Sequence, residues 1–403
     1  MVKYISWIVK YYYYFVILWA MLNMLGLRNF ENGMIKVATV VAVLSFYSIR
    51  FKKNDILVLI YIIYVMVISL LSDVNIDIFS DAIRAQLMPI SFYFIARANS
   101  FDNDSFINNL RVPLLFAFVS ALYLYFFPPA WYIDFKQQNW VYVVTDQDYY
   151  ERMRLSGFWH WSYFIGYSSL FLLMYEIKRF IFEKDHSKYL ILSVLISSLV
   201  LFLAQQRVSI AYFVLYLVII IAYSYKIRLI SRQQVLRIIT LITILCLGIV
   251  SVLIIYGDDA LITYVLKRSV NSDSNIVTDR LKLFDYFIGN ISTLGDGLGQ
   301  YSHYAISLGR RGIPDCDYIR IPNEIGVVGT VILFSIFILS FFKGLKNINS
   351  NFVELNLILF LFISMIGAAP LEMAYLQPFI YWFAAGKLVN NDNDGCINNI
   401  SKL

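Results

Sequence analysis

Twelve times along this chain a mostly apolar run approaches the length of a membrane crossing. The runs cover residues 11–27, 33–49, 56–71, 80–96, 112–129, 158–177, 189–204, 208–223, 238–256, 323–342, 352–368 and 376–388. A helix needs about 20 such residues to cross about 30 Å of hydrocarbon. Inside lipid every backbone N–H and C=O must be satisfied within the protein, which for consecutive apolar segments means helices. The expected fold class is therefore an all-α polytopic integral membrane protein, a single bundle of about 12 transmembrane helices over residues 1–403. Composition agrees: 60% of the chain is hydrophobic and 15% charged, against about 45–50% and about 25% in soluble domains. That excludes a disordered chain, a disulfide-stapled secreted module and a water-soluble enzyme with a membrane tail. The fourth run is the weakest. Its uncharged core, residues 85–96, lies between Arg84 and Arg97, so it spans only with Arg84 in the membrane zone. Pro89 is expected to kink it.

The net charge of +6 is scattered between apolar runs, which fits orientation in a bilayer and not nucleic-acid binding. The connections on one side hold nineteen Lys and Arg, among them Lys52, Lys53, Lys178, Arg179, Lys226 and Arg228. The short connections on the other side hold only Arg28, Arg84 and Arg207. This bias places both termini in the cytoplasm. No cleavable signal peptide is expected, because the first run leads straight into further spans. Cys246, Cys316 and Cys396 fall in different settings with no metal-ligand spacing, so no disulfide is expected.

Two connections on the outer side are long, residues 130–157 and 257–322. Both are rich in Tyr, Trp, Phe and Ile, which argues for order. Within the second, Leu281, Phe284 and Ile288 share one helical face, the pattern of a short helix at the membrane interface. No internal repeat is evident.

Seven basic and eight acidic residues give the second outer loop a net charge of −1, so a phosphate site there needs particular arginines. Arg207, in a turn of a few residues between two spans, is held at the hydrocarbon edge. Charge in that position is either functional or an anchor snorkelling to headgroups. Arg84 is weighed in the same way. Arg154 opens Arg154-Leu-Ser-Gly-Phe-Trp-His-Trp-Ser-Tyr163, an aromatic belt whose rings also suit sugar stacking, with His160 as a structural hydrogen-bonder. Gly295-Asp-Gly-Leu-Gly299 lacks the strand–turn–helix context of a dinucleotide site and reads as a tight turn that lets backbone approach something closely. His303, the one histidine of this loop, is a candidate general base. Asp315 and Asp317 precede the tenth run, in which Gly326 and Gly329 permit close helix packing. Two carboxylates without a clustered third ligand make no metal site, so a base or a sugar-hydroxyl acceptor is the more economical reading. No cofactor is expected.

Four features together resemble the O-antigen polymerase (Wzy) family, within the superfamily that also holds O-antigen ligases. They are Arg154-Leu-Ser-Gly-Phe158 entering a span; Gln205-Gln-Arg-Val-Ser209 in a short outer turn; Asp279-Arg280 followed by Gly295-Asp-Gly-Leu-Gly299; and Asp315-x-Asp317-Tyr318 ahead of Glu324-x-Gly326-x-x-Gly329. The match runs from about Arg154 to Gly329. Where many ligases place His-Asn, this chain has Asp315-Cys316, which favours the polymerase. The family's Arg-x10-Gly spacing is not met, as eleven residues separate Arg154 from Gly166.

The resemblance implies a GT-C-like membrane glycosyltransferase of the bacterial inner membrane, with periplasmic outer loops. It would transfer a growing glycan from undecaprenyl pyrophosphate to a lipid-linked repeat unit in lipopolysaccharide synthesis. Its partners would be the lipid-linked oligosaccharide, membrane lipids and a chain-length regulator, with no nucleic acid. The resemblance puts phosphate contacts on Arg154, Arg207 and Arg280. Candidate catalytic residues are His303, Asp315 and Arg280, with Arg84, Arg310, Arg311, Asp317 and Tyr318 as further substrate contacts. The base stays open between His303 and Asp315. An O-antigen ligase is the nearest rival, and a polysaccharide flippase the rival from another class. Lys36 is the obvious ionisable residue inside an apolar run, the kind of group a transporter would use.

Overall fold

The structure is a computed structural model. It describes residues 51–97, 103–133, 154–157, 162–231, 287–310, 316–372 and 376–390, with isolated positions between them. The runs at 11–27, 33–49 and 238–256 lie outside the described residues, apart from Ile49, Thr240 and Ser251. So do His160, Arg280, Arg311, Asp315, Cys246, Cys396, Lys36 and most of the expected interfacial helix. Among the described residues every regular element is helical: α1 (Lys53–Leu71), α2 (Ile76–Ala82), α3 (Ser91–Arg97), α4 (Asn103–Phe126), α5 (Ser162–Phe182), α6 (Lys188–Leu203), α7 (Arg207–Lys226), α8 (His303–Ser307), α9 (Asp317–Gly344), α10 (Ile348–Ser364) and α11 (Leu376–Asn390). Three helical stretches, Lys53–Leu71, Arg207–Lys226 and Asp317–Ser364, are long and apolar enough to cross a membrane.

The chain divides into two compact units, one joining Arg28–Asn108 to Ser274–Leu403 and the other formed by Asn109–Asp273. In the first unit α1 is apolar on all sides. Val58, Tyr61, Val65 and Ile68 are buried, while Ile56, Ile60, Ile63, Val67 and Leu70 form an exposed stripe. A water-soluble helix would make that stripe polar, so this face is suited to lipid. Trp382 of α11 fills the middle of the unit, its ring 4.8 Å from Phe337 of α9 and 6.4 Å from both Tyr61 and Tyr93.

Asp55 in the first turn of α1 accepts from Lys52 N (2.7 Å), Tyr93 Oη (2.8 Å) and Arg97 Nε and Nη2 (2.9 and 3.0 Å). Arg97 also donates to Asn390 Oδ1 (2.9 Å) and Lys52 Nζ to Val389 O (2.8 Å), so the ends of α1, α3 and α11 are laced together. Between α2 and α3 the helix departs from α geometry, passing through a π turn (Ile83–Leu87) and a 3₁₀ turn (Met88–Ile90). Pro89, which has no N–H to give, sits in this departure.

α9 is broken. Gly326 has φ 69 and ψ 176 inside it, a conformation open to glycine alone at low cost. The backbone groups the break releases are taken up by the glycine turn. Asp296 N donates to Asn323 O (2.9 Å) and Gly297 N to Glu324 O (2.8 Å), while Val327 N and Val328 N donate to Ser292 O (3.1 Å) and Thr293 O (3.3 Å). A Cβ on Gly295 would stand 2.3 Å from Gly326 N, and one on Gly326 2.3 Å from Thr293 O. The turn expected to approach something closely approaches this notch. Gly326 therefore breaks the helix and does not serve helix packing, whereas Gly329 does pack closely, against the Tyr64 ring of α1.

In the second unit α5 is buried along most of its length. Tyr216 Oη of α7 donates to Met174 O (2.6 Å), and Glu176 meets Arg111 of α4 (2.7 Å) and Ser193 of α6 (3.1 Å).

Candidate functional site

The first turns of α9 set Asp317, Arg320 and Glu324 at spacings of three and four, one face of a helix. Arg320 is wholly buried. Its Nη2 reaches Asp317 Oδ1 at 2.6 Å, its Nη1 Glu324 Oε2 at 2.6 Å, and its Nε Glu372 Oε2 at 3.3 Å. Three carboxylates thus share one guanidinium, whose planar fork can serve several acceptors at once. Burying such charge is tolerated only when it is paired and hydrogen-bonded throughout. Further donors supply the remainder. Leu371 N donates to Asp317 Oδ2 (3.0 Å), Tyr301 N to Glu324 Oε1 (3.2 Å) and Gln86 Nε2 to Glu324 Oε2 (3.2 Å).

The cluster reaches water through His303. Ser302 caps α8, accepting from Ala305 N, and sets His303 at its first position. There His303 N donates to Glu372 Oε1, and its Nδ1 lies 3.1 Å from Glu372 Oε2. The imidazole is 40% exposed while Glu372 is 7% exposed. Burial pushes the Glu372 carboxyl up, but Arg320 and His303 outweigh that and hold it below its ordinary value. An ionised carboxylate facing Nδ1 favours the tautomer protonated there, which makes Nε2 the basic nitrogen. The arrangement is a carboxylate-oriented imidazole whose carboxylate is itself held by a buried guanidinium. Chemically it can accept a proton from a hydroxyl.

Of the other expected site residues, Asp317 is buried in the cluster, and Tyr318 Oη donates to Phe362 O of α10 (2.9 Å). Arg310 is exposed and donates to Gln300 Oε1 (2.9 Å). Arg84 sits in the π turn and pairs with Asp81. In the second unit Arg207 is the first residue of α7, exposed, after a tight turn in which Gln205 has φ 52. Arg154 is half-buried on a neighbouring segment: Leu155 N donates to Leu203 O (3.1 Å), and Gln206 Nε2 to Ser162 Oγ (3.0 Å). The structure thus brings the Arg154 and Arg207 segments together, and separately brings together His303 and Asp317.

Sequence reasoning missed Arg320, Glu324, Glu372 and Gln86 as site residues. It treated Asp317–Pro322 as loop and began the helix at Asn323, but α9 starts at Asp317 and carries Pro322 inside it. The signal available was the spacing of three charges among apolar residues. Among the described residues no group of three or more His, Cys, Asp or Glu is arranged to hold a metal. No protein-family model matches the chain, and no curated protein is significantly similar to it.

Proposed function

We propose that this chain is a polytopic glycan polymerase of the bacterial inner membrane, a twelve-span bundle with both termini cytoplasmic. It transfers a growing glycan from undecaprenyl pyrophosphate to a lipid-linked repeat unit, as the resemblance to O-antigen polymerases implies. The observation that carries the reading is His303, oriented by Glu372 and backed by Arg320, in a loop read as periplasmic. In the reaction the acceptor hydroxyl oxygen attacks the anomeric carbon of the donor glycan. Its proton passes to His303 Nε2 as the bond from that carbon to the phosphate oxygen breaks. The carrier leaves as its pyrophosphate, whose developing charge needs cations at the membrane edge. The resemblance assigns that role to Arg154, Arg207 and Arg280. Between the two bases considered, His303 is favoured by its orienting carboxylate.

The test is chain length in cells whose own polymerase gene is replaced. Loss of His303 or Arg207 should leave single repeat units on lipopolysaccharide. A ligase would instead leave core without glycan and long chains stranded on the carrier. A flippase would leave lipid-linked units on the cytoplasmic side, and retained ladders in both variants would refute the assignment.

A further inference from the structure

Ser72, Gly295, Asp296, Gln300, Tyr301 and Arg310 line a cleft of about 490 Å³, within the range of roughly 300–1,000 Å³ common for small-molecule sites. Ser72 directly follows α1, so the cleft opens at the end of a membrane-length helix. One wall is stiff: the glycine turn is bonded to the break in α9, and Leu298 N donates to Ser69 Oγ of α1 (2.9 Å). Its charged groups, Asp296 and Arg310, are opposite in sign and equal in number, which makes the cleft a trap for neither anions nor cations. Tyr301 Oη donates to Asp296 Oδ2, and Arg310 Nη1 to Gln300 Oε1 at 2.9 Å. These bonds orient the lining and use only part of its capacity. Asp296 keeps an acceptor oxygen, Gln300 keeps its amide hydrogens, and Arg310 keeps further N–H groups. A ligand matching that mixture must both donate and accept at neighbouring points without net charge, as vicinal hydroxyls on a sugar ring do. Tyr301 N also bonds Glu324, and His303 lies two residues on, so the same buried cluster holds both the cleft wall and the imidazole.

We propose that this cleft binds a neutral sugar ring, and that it is the acceptor subsite, with Asp296, Gln300 and Arg310 holding hydroxyls. Only its assignment as acceptor rests on the polymerase reading; the binding of saccharide does not. The test uses the full chain in nanodiscs, with glucose, galactose and N-acetylglucosamine each as probe and inorganic pyrophosphate as competitor, read by saturation-transfer NMR. At least one sugar should bind, about tenfold more weakly in Asp296→Asn or Gln300→Ala, as one lost hydrogen bond to a charged or oriented partner implies. The thermal midpoint of both variants should match the parent. Absence of binding by every probe, binding unchanged in both variants, or displacement by pyrophosphate would overturn the proposal. Sugar binding with these losses but without elongation of a lipid-linked unit supports the cleft while refuting the polymerase. Elongation whose acceptor KM is unchanged in both variants refutes the assignment as acceptor subsite alone. A raised KM with kcat retained supports it.

Discussion

Two buried guanidinium groups in the first unit serve opposite ends of it and are built differently. Among the described residues Arg97 meets one carboxylate, Asp55, through two of its nitrogens, with Tyr93 also donating to Asp55 and Asn390 accepting from Arg97. Among the described residues its one carboxylate partner is of equal and opposite charge, both side chains are buried, and these contacts join helix ends. Arg320 meets three carboxyl groups, Asp317, Glu324 and Glu372, so acidic groups outnumber the guanidinium, and one of the three extends to a half-exposed imidazole. A balanced buried pair can be exchanged for apolar residues at little cost. An unbalanced one that reaches water is poor as a staple and well suited to holding a proton acceptor. The contrast separates a fastening from a candidate site within one unit.

The sharpest way to break the comparison is to remove each guanidinium. Arg320→Met strands three buried carboxylates and should destabilise by at least the ~3–5 kcal/mol typical of an orphaned buried charge; Arg97→Met strands one and should cost less. Thermal unfolding in detergent checks the order, and equal losses would erase the distinction. Next, Glu372→Gln should lower elongation about 100-fold, in the range of general-base contributions, with a much smaller change in melting. The paired change Asp55→Leu with Arg97→Met should restore most of the stability lost in Arg97→Met and leave elongation within a few-fold of the parent. No such rescue is expected for the Arg320 cluster.

A smaller effect should appear with pH. Glu372 has its pKa depressed in the fold, so its contribution is fully present above its unfolded value of about 4.3. It is lost as pH falls through the folded value. The stability advantage of the parent over Glu372→Gln should therefore shrink below about pH 4, and melting curves across that range read it directly. Smallest of all, Arg84→Gln breaks a partly exposed ion pair with Asp81 and should cost under about 1 kcal/mol.

The helical class and several long apolar helices were legible because apolar length is a direct physical requirement of a bilayer. The run at 56–71 lies within α1, that at 208–223 within α7, and those at 323–342 and 352–368 lie mainly in α9 and α10. Pro89 announced the irregular helix before α3, since a missing donor acts locally. His303 was legible as a titratable side chain in an ordered loop. Glu372 was not, because its role depends on a partner 69 residues earlier in the chain and on Arg320. Nor was Gly326, whose value as a break depends on a turn about thirty residues upstream.

That turn has a bearing on how the chain is made. Residues 292–297 leave the ribosome before α9 does, yet their amides and carbonyls complete the hydrogen bonding of the notch at Gly326. Until they dock, the inserted segment holds a gap in its backbone ladder where hydrocarbon offers no replacement. Maturation of this unit is thus ordered in time: the connecting loop must fold back onto an apolar helix that arrives after it, and His303 takes its place beside Glu372 only when that closure is complete.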